Sequence, residues 1–201
     1  MKRPKWALAV LALLLALPLL GAKVGEVAPN FIGTDSNGKV HKLSDYRGKV
    51  VVLEWHNQGC PYTKKHYESG NMQKLQKEWA AKGVIWFTVI SSAPGTQGYV
   101  TAAEENEYLK KMDSAPTAVL LDPTGVLGHQ YEAKTTPHMY VLNPKGLLVY
   151  EGAIDDKSTS DPADIPGATN FVQAALQQVT AGQQVSTPVT RPYGCSVKYA
   201  K

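Results

Sequence analysis

Lys49-Val50-Val51-Val52-Leu53-Glu54-Trp55, followed within five residues by Cys60-Pro61, is the stretch that decides the fold. Its unbroken apolar, β-branched run suits a strand buried on both faces, as in the middle of a mainly parallel sheet. Gly59 ends the strand, and a helical pattern starts at Pro61. That pattern loosens around Ser69-Gly70-Asn71, after which Met72, Leu75 and Trp79 keep a three-four spacing until Lys82-Gly83 stops it. Val84-Ile85-Trp86-Phe87-Thr88-Val89-Ile90 is a second buried strand. A strand-helix-strand unit with a right-handed crossover follows from this order.

Outward from this unit, residues 91–100 form a Gly/Ser/Pro-rich loop, and Thr101-Ala102-Ala103-Glu104 opens a polar helix over 101–112 in the manner of a capping box. Ala118-Val119-Leu120-Leu121 gives a third strand, closed by the turn Asp122-Pro123-Thr124-Gly125. Met139-Tyr140-Val141-Leu142 and Leu147-Leu148-Val149-Tyr150-Glu151 flank Asn143-Pro144-Lys145-Gly146 as a β-hairpin. A closing helix over 170–181 carries Phe171, Val172, Ala175, Leu176 and Val179 on one side. The predicted class is α/β, a central mixed β-sheet flanked by helices, in one domain over 23–181. Residues 182–201, rich in Pro, Thr and Ser, read as an irregular tail.

The 201 residues are 43% hydrophobic and 19% charged, which excludes a disordered or collagen-like chain. A net charge of +4 invites a nucleic-acid reading, but Lys2, Arg3 and Lys5 stand in an acid-free N-terminus. Without them 18 basic residues face 17 acidic ones, too few in excess to neutralise a phosphate backbone. Residues 1–22 read as an export signal: a basic start, an apolar run from Trp6 to Leu20, then Gly21-Ala22 before polar Lys23. The rival is an uncleaved anchor, since Trp6 to Ala22 would span roughly 25 Å as a helix. Both readings place the rest of the chain outside the cytoplasm, in a bacterial periplasm, where disulfides persist. Cys60 and Cys195 are the sole cysteines, so neither a disulfide-stapled scaffold nor a four-cysteine zinc site is available.

A parallel core ending in an antiparallel hairpin and a helix resembles the thioredoxin fold. Val27-Ala28-Pro29-Asn30-Phe31, then Leu43-Ser44-Asp45-Tyr46-Arg47-Gly48-Lys49-Val50, then Cys60-Pro61 and Thr136-Pro137, resemble its redoxin branch. That branch includes the alkyl hydroperoxide reductase and thiol-specific antioxidant proteins and the exported thioredoxins. The resemblance implies thiol redox chemistry at Cys60 with no cofactor. It departs from the thioredoxin Cys-x-x-Cys, because Thr63 stands in the second cysteine's place. It also departs from the peroxiredoxin Pro-x-x-x-Thr-x-x-Cys, because Leu53 and Asn57 replace the proline and the threonine.

A cysteine between a buried strand and a helix meets unpaired backbone N–H groups and the positive helix end, which favour the thiolate. Pro61 fits the first helical turn, where its missing N–H is not needed. The sulfur is expected to be ionised and reachable by solvent; the alternative is a small buried hydrophobe. Without a local second thiol, a mixed disulfide or sulfenic acid on Cys60 needs another thiol to resolve it. Cys195 is the candidate within the chain, beside the readings of a free tail thiol or an intermolecular bridge. Glu54, six residues before Cys60, stands at the place of the thioredoxins' buried acid, or else is a strand-end carboxylate in water. Thr136-Pro137 resembles the superfamily's cis pair, beside which a substrate peptide is held like an added strand.

Three functions are carried forward: thiol-disulfide exchange by Cys60, Cys60-dependent hydroperoxide reduction, and a non-catalytic copper- or partner-binding protein using Cys60, with or without Cys195, together with His56 and His138. The expected partners are protein or small-molecule thiols and disulfides, hydroperoxides in the second case, and an external thiol reductant.

Overall fold

The computed structural model describes residues 21–200; the export signal expected over 1–22 lies almost wholly outside them. An antiparallel hairpin comes first, β1 (Ile32–Thr34) with β2 (Val40–Lys42). Then follow β3 (Val51–Trp55), α1 (Pro61–Glu68), α2 (Asn71–Ala81), β4 (Ile85–Ile90), α3 (Ala102–Met112) and β5 (Ala118–Leu121). After α4 (Val126–Gln130) come β6 (Thr135–Thr136), β7 (His138–Leu142), β8 (Leu148–Gly152), α5 (Phe171–Thr180) and β9 (Cys195–Ser196). The main sheet has the order β5-β4-β3-β7-β8. Its first three strands are parallel, and β7 and β8 run antiparallel. This is the mixed α/β sheet read from the sequence.

Every residue of central β3 is buried, as its apolar run requires. Alternation sends its side chains to two cores. Val52 joins Trp79, Trp86, Met139 and Leu176 under α2 and α5, while Leu53 and Trp55 join Phe87, Tyr131 and Tyr140 on the opposite face. Burial of each such side chain contributes on the order of 1.5–3 kcal/mol.

The loosening expected near Ser69 is a complete break: Gly70 takes φ 75°, ending α1 and capping α2. The Thr101/Glu104 capping box forms as expected. The β1–β2 hairpin and α4 were not legible, because three- and five-residue elements offer too few turns for any period to show. Residues 183–200 carry little regular structure, yet they are tied down along their length. Glu151 N–H donates to Pro188 O and Thr190 N–H to Glu151 O, both at 3.0 Å, and Ala93 N–H donates to Lys198 O at 2.8 Å. Gly152 makes room for this strap: at φ 144°, a Cβ there would stand 2.2 Å from Thr190 Oγ1.

Candidate active site

Cys60 is the N-cap of α1 with Pro61 in the first turn, so the sulfur sits at the positive end of the helix. The preceding turn is held by Asn57. Gly59 N–H donates to Asn57 Oδ1 at 2.8 Å, and Asn57 Nδ2 donates to Gln97 O at 3.2 Å. Gln97 returns a hydrogen bond from Nε2 to Gly59 O at 2.9 Å. Asn57, noted in the sequence only as a departure, thus clamps the 91–100 loop to the cysteine turn.

The Cys60 thiol donates to Thr136 O at 3.0 Å, and the Thr136–Pro137 bond is cis. Thr136 in turn faces Cys195 in the β6–β9 ladder, bringing together two cysteines remote in sequence. Burial pushes the Cys60 thiol up, but hydrogen bonding by the Cys195 thiol, by the Thr136 side chain and by the backbone N–H groups of Thr63 and Cys195 outweighs it and lowers the pKa. Cys195 is pushed up to about 11, by burial first and then by the hydrogen bond and charge of Cys60. Cys60 therefore ionises first. The expectation of a solvent-reachable sulfur is corrected: Cys60 is 0% exposed, with the β6–β9 ladder beside it.

Glu54 is fully buried, which removes the reading of a carboxylate in water. Its oxygens accept from Tyr67 OH and Trp86 Nε1 at 2.8 Å each, from Gln76 Nε2 at 3.3 Å and from Thr88 Oγ1 at 3.4 Å. Among the described residues neither thiol donates to it. His56 Nδ1 lies 3.7 Å from Glu54 Oε1, and buried Glu105 shares the charged cluster. Glu105, on a helix read as wholly polar, left no sequence signal.

The copper arrangement does not assemble. His56 packs against the Tyr67 and Tyr108 rings on the α2 side of the sheet. His138, in register with Trp55, packs against Tyr140 on the other side. Opposite faces of one strand pair cannot jointly ligate one ion with Cys60. Among the described residues no group of three His, Cys, Asp or Glu is placed to hold a metal.

A buried polar latch beside the site was not read from the sequence. Tyr193 OH donates to Asp155 Oδ1 and lies 3.3 Å from His66 Nε2. Lys65, with its side chain fully enclosed, donates from Nζ to Lys157 O at 2.7 Å and lies 3.9 Å from Asp155 Oδ2. Lys64, one helical turn after Cys60, is exposed, and its neighbour Lys65 is the buried one.

The thioredoxin-like protein YneN of Bacillus subtilis is 26% identical over 148 residues, 73% of this chain and 82% of its own. The thiol-disulfide oxidoreductase ResA of Bacillus subtilis is 30% identical over 125 residues, 62% and 64% of the two chains. A probable glutathione peroxidase 8-B of Xenopus laevis is 33% identical over 167 residues, 73% and 74% of the two chains. The crystal structure of an uncharacterized conserved protein from Geobacillus kaustophilus superposes with a TM-score of 0.77 at 23% identity, covering 89% of this chain and 93% of that one. This chain is a thioredoxin-fold oxidoreductase of thiols. Residues 24–151 match the AhpC/TSA family, and the chain belongs to that family.

Proposed function

We propose that Cys60 is the attacking thiolate of thiol-disulfide exchange and that Cys195 resolves the mixed disulfide it forms. The observation that carries this reading is the Thr136–Cys195 pairing, which sets the second thiol against the first. In the first step Cys60 S⁻ attacks a substrate disulfide, forming a Cys60–substrate bond and expelling one substrate thiolate. Cys60 then bears no charge, which removes one of the influences holding the Cys195 proton. Cys195 gives that proton to the departing thiolate, attacks Cys60 sulfur and expels the second substrate thiolate. The substrate leaves as one thiol and one thiolate, which takes its proton from water, and the protein is left as a Cys60–Cys195 disulfide, which an external dithiol reduces again.

In this reading Pro61, Thr63, Thr136 and Pro137 border the bound substrate, with Thr136 and Pro137 holding its backbone, and Glu54 is a candidate for proton transfer. The protein works outside the cytoplasm, on protein or small-molecule thiols and disulfides.

A second reading is favoured by the peroxidase-named relative. Cys60 S⁻ attacks a hydroperoxide, forming a sulfenic acid and releasing an alkoxide that takes up a proton; Cys195 then condenses with the sulfenic acid, releasing water. Leu53 and Asn57 at the peroxiredoxin signature positions weigh against efficient turnover.

Mass mapping decides between them. The reduced protein is treated with oxidised glutathione or with dilute hydroperoxide, alongside Cys60→Ser and Cys195→Ser. Exchange predicts a Cys60–Cys195 disulfide from glutathione and a trapped glutathione adduct on Cys60 in Cys195→Ser. Full disulfide-reducing activity in Cys60→Ser would remove the exchange reading. A Cys60 sulfenic acid formed by peroxide, with no reaction toward glutathione, selects the second.

A further inference from the structure

The strap that ends the chain does more than bring Cys195 near. Tyr193 packs against one core of the sheet and Val197 against the other, so the segment between them crosses the end of the sheet at the Cys60 turn. Cys195 and Ser196 pair antiparallel with Thr136 and Thr135, and Val197 N–H continues the contact to Lys134 O at 3.1 Å. An extended polypeptide docking on this edge needs the same N–H and C=O groups. They are already taken.

The fit is built on both sides of the cysteine. Gly194 stands at φ 137°, and a Cβ there would come within 2.1 Å of Thr136 O, so only glycine lets the strand lie this close. The Tyr193 hydroxyl is held between Asp155 and His66. Further on, Tyr199 OH donates to Ala133 O at 2.7 Å and its ring stacks on His129 with centroids 4.0 Å apart. Gly128 leaves room for that ring, since a Cβ there would meet it at 2.5 Å.

We infer that Tyr193–Lys198 is a tethered stand-in for a substrate strand, and that an extended, cysteine-bearing polypeptide engages Cys60 only by displacing it. The inference rests on Cys60 being the nucleophile. A substrate would lay its own cysteine opposite Thr136, where Cys195 now lies, with a small residue before it to clear the Thr136 carbonyl. The edge is thus selective twice: for an extended backbone, and for partners able to compete with a strand that never diffuses away.

The test uses the full chain in a Cys195→Ser background, so that Cys60 is the sole reactive thiol. The probe is a synthetic peptide copying Arg191–Lys198, with its cysteine carried as a mixed disulfide with nitrothiobenzoate. Cys60 S⁻ attacks the peptide sulfur, a Cys60–peptide disulfide forms, and nitrothiobenzoate leaves as a coloured thiolate. Gly194→Val, which forces the strap off Thr136, is expected to raise the release rate about tenfold, because the competent fraction rises. Tyr193→Phe, which removes the latch hydroxyl, is expected to raise it by a smaller factor and decides the matter if Gly194→Val does not fold. The glutathione mixed disulfide of the same leaving group should be accelerated far less. No acceleration in a folded variant whose Cys60 still reacts overturns the inference, and equal acceleration of peptide and glutathione probes overturns its polypeptide half. Loss of release only on Cys60→Ser is required throughout; release that survives it, or is absent from every Cys60-bearing variant, sinks the underlying nucleophile reading instead.

Discussion

Thr136 and Cys195 lie opposite one another in a two-residue antiparallel ladder, and the carbonyl of that same Thr136 accepts the Cys60 thiol at 3.0 Å. One backbone residue is therefore the hinge point of both sulfurs. The two thiols should behave as a pair.

Their ionisation should be ordered. Ultraviolet thiolate absorbance of the reduced protein should rise first for Cys60, below the ordinary thiol range, and again only near about 11 for Cys195. Cys195→Ala removes the side chain that hydrogen-bonds Cys60 and should move the first step upward. Cys60→Ser should abolish the first step and bring the Cys195 step down. Persistence of the low step in Cys60→Ser contradicts the assignment.

Glu54 should matter more for stability than its place in the sequence suggested. Glu54→Leu leaves the buried Tyr67, Trp86 and Gln76 donors without their acceptor, and is expected to cost about 3–5 kcal/mol in urea unfolding. Glu54→Gln keeps an acceptor oxygen and should cost less. If folded Glu54→Gln exchanges disulfides at the parental rate, proton transfer by this carboxylate is excluded.

Acid should loosen the molecule through its buried histidines. Burial and then the Lys65 charge lower His66 to about 4, against the opposing pull of Glu54, and burial followed by Lys134 lowers His138 to about 3. In the unfolded chain both titrate at about 6.5, so the unfolded state binds more protons below that pH and stability falls as pH drops. Each histidine should contribute a loss of about 2 kcal/mol between about pH 7 and pH 5. Urea midpoints across this range should show a shallower slope in His66→Gln; an unchanged slope counts against a neutral buried His66.

Gly152→Val should detach the upstream half of the strap. A branched side chain at φ 144° meets the Thr190 hydroxyl and carbonyl, adding strain of about 1–3 kcal/mol to the clash. Limited proteolysis should then cut within residues 183–200 well before it cuts the parent.

What was legible follows from what repeats. The β3 run and the Met72, Leu75, Trp79 spacing announce a buried strand and an amphipathic helix, because their period is set locally. Pro61 after a strand fixed the place of Cys60 for the same reason. The pairing of Thr136 with Cys195 is set by contacts across 59 positions and by one glycine φ, neither of which leaves a periodic trace. Lys65 and Glu105 were opaque because charged residues on a helix ordinarily read as solvated. Only their tertiary surroundings, the Asp155 latch and the Glu54 cluster, reverse that.

Enclosed Lys65 gives the protein a built-in clock. Its amine is tied to Lys157 O while Lys64, one residue earlier, is exposed. An acylating reagent should mark Lys64 at once and Lys65 only as fast as the surrounding latch breathes. The ratio of the two labels, read by peptide mass, thus times the opening of this corner of the fold in the unmutated molecule.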